Sequence, residues 1–64
     1  MPNTYAVELW SAAGGAAPSE VLADKVQAMD RYEAVALMRR MVETQYPQIN
    51  LATLDTWFVA QRLD

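Results

Sequence analysis

Sixty-four residues suffice for one hydrophobic core and leave little length for a second domain or a deep active-site cleft. Hydrophobic residues make up 53% of the chain, which argues against disorder, and the lack of cysteine excludes disulfide staples and thiolate chemistry. The formal charge of −3, from eight acidic and five basic side chains, disfavours non-specific attraction to nucleic acid or anionic lipid and makes a basic protein surface the natural complement.

The opening Met1-Pro2-Asn3-Thr4 carries neither the basic region nor the apolar run of a secretion signal. No apolar run approaches the roughly eighteen residues of a membrane span. With no cysteine, the expectation is a cytoplasmic protein that stays out of the membrane. The first periodic segment is Thr4 to Trp10, where Tyr5, Val7 and Leu9 alternate with Ala6, Glu8 and Trp10 in the two-residue period of a strand. The small, turn-rich stretch from Ser11 to Ser19 follows and predicts a long hairpin loop, with Gly14 and Gly15 supplying positive φ for the reversal. From Glu20 to Met29, Leu22, Asp24, Val26 and Ala28 alternate with Val21, Ala23, Lys25 and Gln27, as in a second strand. Ala, Leu, Lys and Gln are also good helix formers. The strand is preferred because Asp30 followed by Glu33 reads as a capping box that starts a fresh helix.

That helix is expected from Arg31 to Gln45, with Ala34, Val35, Met38, Met41 and Val42 in one apolar stripe and Arg39 within reach of Glu43 one turn on. Pro47 ends it, since proline disfavours helical geometry in the residue before it. A third strand is expected within Leu51 to Leu63, where Leu54, Thr56, Phe58 and Ala60 alternate with Asp55, Trp57, Val59 and Gln61. The order predicts an α+β fold, ββαβ, in a single domain over 1–64. Its three-stranded antiparallel sheet has order 2-1-3, and one helix packs on one face.

The residue types for catalysis are missing. Histidine, the usual acid–base group near neutral pH, is absent, and without His or Cys the common zinc and transition-metal ligand sets cannot form. The eight acids are scattered along the chain rather than grouped as in a calcium loop, and Ser11 and Ser19 have no base beside them. The expectation is a protein that is not an enzyme and uses no cofactor and no metal.

Strand parity points instead to a binding surface. If Tyr5, Val7 and Leu9 face the helix, Glu8 and Trp10 face away from it, joined by Asp55, Trp57 and Val59 from the third strand and by Lys25 and Gln27 from the second. Leu54 and Phe58 are then expected in the core. Tryptophan combines a large apolar area with one N–H donor and is enriched among residues that dominate binding energy. A one-residue register shift or a bulge would turn either indole into the core and remove this surface. The expected partner-binding residues are therefore Trp10, Trp57, Glu8, Asp55, Val59 and Lys25.

The layout Val26-Gln27-Ala28, Asp30-Arg31-Tyr32-Glu33-Ala34 and Gln45-Tyr46-Pro47 resembles small strand–strand–helix–strand proteins of bacteria and their phages, some anti-CRISPR proteins among them. The resemblance lies in architecture and transfers no residue roles. It implies stoichiometric binding to a Cas protein, with acidic side chains meeting a basic nucleic-acid groove. The expected function is thus a protein-binding module, an inhibitor of a nucleic-acid-binding complex. The alternatives are a homodimeric accessory protein with its open sheet self-paired and, less favoured by the negative charge, a single-stranded nucleic-acid binder using the aromatics as a stacking platform.

Overall fold

The computed structural model describes residues 1–52 and 55–64. Strand β1, Asn3–Ser11, is followed by a short 3-10 turn at Ala13–Gly15, strand β2, Ser19–Ala28, helix α1, Arg31–Gln45, and strand β3, Thr56–Arg62. The sheet order is β2-β1-β3 with both pairings antiparallel, the expected 2-1-3 arrangement. Residues 20–28 are strand, so their alternation outweighs the helix propensity of their side chains. The elements span 40 × 23 × 15 Å, and the thinnest dimension accommodates one helix of about 10–12 Å diameter on one sheet.

Local chemistry accounts for the turns. Gly14 and Gly15 adopt φ of 71° and 75°, the left-handed region where a Cβ is penalised. Asp30 has extended backbone and its Oδ1 accepts the Glu33 N–H at 2.8 Å, while Glu33 Oε1 accepts the Met29 N–H at 2.8 Å. The reciprocal cap thus forms with the glutamate reaching one residue further back than the usual box. At the other end, Tyr46 leaves the helical region and its N–H bonds Val42 O at 2.8 Å before Pro47 stops further winding.

The core lies between α1 and one face of the sheet. Tyr5, Val7 and Leu9 from β1 meet Ala28 from β2 and Ala34, Met38 and Val42 from α1, with Val7, Leu9, Ala34 and Val42 at 0% exposure. Ala34, Met38 and Val42 repeat at four-residue steps, and Val35 and Met41 border that line half-buried. Phe58 is partly buried against the core, as expected; Leu54 lies outside the described residues. Arg39 differs from expectation: its guanidinium sits over the Phe58 ring, 5.1 Å from the centroid, instead of pairing with Glu43. Stacking on a half-buried aromatic competes well with an exposed ion pair, because water screens the pair.

Candidate functional site

The helix covers one face of the sheet, and no described element covers the other. Alternation is strict along β1, where Tyr5, Val7 and Leu9 are buried and Thr4, Ala6, Glu8 and Trp10 are half-buried on the opposite side. The β1–β3 register is unbroken and sets Trp10 opposite Trp57, Glu8 opposite Val59 and Ala6 opposite Gln61. On the other flank Ala23 pairs with Glu8, Lys25 with Ala6 and Gln27 with Thr4. Both indoles therefore share the open face, beside Glu8, Val59 and Lys25. Trp57 is 38% exposed and Val59 42%, and neither indole belongs to the core.

A bulge does interrupt the sheet, between Leu9 and Trp10 of the β1–β2 ladder. Leu9 pairs with Leu22 and Trp10 with Glu20, so the extra residue is Val21 on the outer strand β2. Because the insertion falls on β2, the alternation of β1 continues through Trp10. Counting inward from Leu22 puts Val21 on the open face, and counting from Ser19 puts Glu20 there too. Val21, 45% exposed, thereby extends the apolar strip Trp10–Trp57–Val59 toward the second edge.

One hydrogen bond orders the centre of this face. Trp10 Nε1–H donates to Glu8 Oε1 at 2.9 Å, two residues apart on the same side of β1. The bond satisfies the indole donor and fixes the carboxylate beside it, leaving the ring faces as apolar surface. Asp55 stands one residue ahead of β3, outside the strand, and is exposed. Its carbonyl oxygen accepts the Ala12 N–H at 2.9 Å, in step with the β1–β3 ladder, so it borders the tryptophan end of the sheet.

Among the described residues, the charged side chains around the strip are Glu8, Glu20 and Asp55 against Lys25 as the single cation. Bulge residues Glu20 and Val21 escaped the sequence reading, because alternation on either side of an insertion looks regular. The Glu8–Trp10 bond, by contrast, is foreshadowed by an acid and an indole two residues apart on one strand. Among the described residues no group of three His, Cys, Asp or Glu side chains is placed to hold a metal ion, and no helix is long and apolar enough to cross a membrane. Comparison with protein-family models, with curated proteins and with solved structures returned no match.

Proposed function

We propose that this chain is a non-enzymatic protein-binding module that docks through the helix-free face of its sheet. The observation that carries the reading is the cross-strand pair Trp10–Trp57, held on that face with its central indole donor already satisfied by Glu8. Such a surface is pre-organised: two large, stiff side chains lose little freedom on binding, and no unpaired indole donor at Trp10 has to be desolvated. Val21 and Val59 widen the apolar centre, Glu8 adds a negative charge within it, and Glu20 and Asp55 supply an acidic rim. A partner with a basic surface fits this rim. The nucleic-acid groove of a Cas nuclease or surveillance complex is one such surface, and stoichiometric inhibition in the cytoplasm is the role the architectural resemblance suggests.

Trp10→Ala and Trp57→Ala are expected to weaken partner binding by about 2 kcal/mol or more each while the fold persists. Affinity capture with wild-type and doubly substituted protein, followed by calorimetry on the captured partner, measures the effect. Equal affinity of the two proteins would remove this face from consideration. A homodimer through the same face is the second reading, favoured by the opposite charges of Glu8 and Lys25 across neighbouring strands. Sedimentation across a range of concentrations tests it, and a concentration-independent monomer excludes it.

A further inference from the structure

The edge of β3 forms a second surface, of opposite electrostatic character to the tryptophan face. Two bonds of 2.9 Å, Leu63 N–H to Thr4 O and Ala12 N–H to Asp55 O, set the phase of the β1–β3 ladder. In that phase Trp57, Val59 and Gln61 direct their backbone groups to β1, whereas Phe58, Ala60 and Arg62 direct theirs to the open edge. The opposite edge, on β2, is blunted by the Val21 bulge and by Glu20, Asp24 and Lys25. Strand β3 has no bulge, no proline and no lysine, and its sole charge, Arg62, is its last residue.

A groove runs beside this edge. Its strand wall is Phe58 to Arg62, and its helix wall includes Arg31, Tyr32 and Val35. Tyr32 is 80% exposed, and Arg39 lies one turn beyond Val35, over Phe58. Arg31, Arg39 and Arg62, three of the five basic residues of a chain with net charge −3, thus flank one strand edge. Asp64 partly answers Arg62 at 3.6 Å and Asp30 stands at the same end of the groove. Among the described residues Arg31 and Arg39 make no ion pair.

We infer that the groove between β3 and α1 takes an extended peptide, apolar at its centre and acidic toward its ends, which adds to β3 as a fourth strand. The outward N–H and C=O groups of Phe58, Ala60 and Arg62 supply the ladder, Tyr32 and Val35 receive an apolar side chain, and the arginines meet the carboxylates. A second copy of the chain is a poorer occupant. Pairing β3 with itself about a dyad near its middle brings Arg39 of one copy toward Arg31 and Arg62 of the other, like charge against like. The inference is independent of the tryptophan face, because different amides respond.

The test uses the whole chain and the synthetic peptide acetyl-Glu-Val-Thr-Val-Thr-Val-Glu-amide, followed by calorimetry and by amide NMR with hydrogen exchange. The expected result is saturable binding with slowed exchange at Phe58, Ala60 and Arg62, and about tenfold weaker binding of the same peptide with lysine ends. Ala60→Pro removes an edge N–H that β1 does not use and is expected to lower affinity about tenfold in a folded protein. Should that variant unfold, Arg31→Glu combined with Arg39→Glu decides, by reversing the preference between acidic and lysine ends. No binding, equal affinity for both peptides, or shifts confined to Trp10 and Trp57 would overturn the inference. Concentration-dependent shifts at Phe58 and Ala60 without peptide would overturn it in favour of a second copy.

Discussion

The two faces of one sheet follow the same alternation and end in opposite states. On the helix side Val7 and Leu9 are fully enclosed, while directly across β1 the Trp10–Trp57 pair stays partly in water with Val59 at 42% exposure. A single helix can shield only one side of a three-stranded layer, and the two tryptophans, the largest side chains of the sheet, lie on the side it does not shield. Burial as a driving force explains the first face; it leaves the size of the aromatic groups on the second unexplained. That contrast is why partner binding is proposed at the open face.

The contrast is strong enough to break. Leu9→Ala removes a fully buried side chain in the centre of the core and is expected to destabilise the protein by about 3 kcal/mol, read as a lower urea midpoint at unchanged slope. Trp57→Ala deletes a larger group and is nonetheless expected to cost only about 1 kcal/mol, chiefly the lost cross-strand partner of Trp10. A cost for Trp57→Ala equal to that of Leu9→Ala would make the open face a second core and end the comparison. Asp30→Ala lies outside both faces and gauges local structure alone: losing the cap on Glu33 N–H is expected to cost about 1 kcal/mol, in helix content as well as in the midpoint. The smallest effect is expected from Lys25→Glu, within about 0.5 kcal/mol in stability, since its side chain is exposed and makes no ion pair among the described residues. The same change makes the rim more acidic and is expected to speed association with a basic partner, more so at low salt.

Much of the fold was legible because its signals are local. Asp30 with Glu33 and Tyr46 with Pro47 bracket the helix at the boundaries the structure has, and the alternation of β1 alone places Trp10 opposite the core. Gly14 and Gly15 have the positive φ their position in the hairpin called for. What escaped the sequence depends on contacts between elements. Nothing in Glu20-Val21-Leu22 marks the bulge, because the insertion exists only in the pairing of β2 with β1 and leaves the alternation on either side regular. Whether Arg39 would meet Glu43 or Phe58 depends on the rotation of α1 over the sheet, which the helical stripe constrains only to within about a residue. The proximity of Arg31 and Arg62, at the start of α1 and the end of β3, has the same origin. Of the surface expected from parity, Trp10, Trp57, Glu8, Val59 and Lys25 come together on the open face and Asp55 borders it.

Because the chain's two indoles stand opposite one another on adjacent strands, the molecule carries its own optical label. Neighbouring chromophores in a fixed mutual orientation give an excitonic couplet in circular dichroism, and their emission is open to collisional quenchers from the uncovered side alone. Anything that settles on that side shields both fluorophores from iodide, whereas a strand added at the β3 edge covers only the flank of Trp57 and leaves Trp10 open. Occupancy of either surface can thus be followed on unlabelled protein, with the core silent throughout.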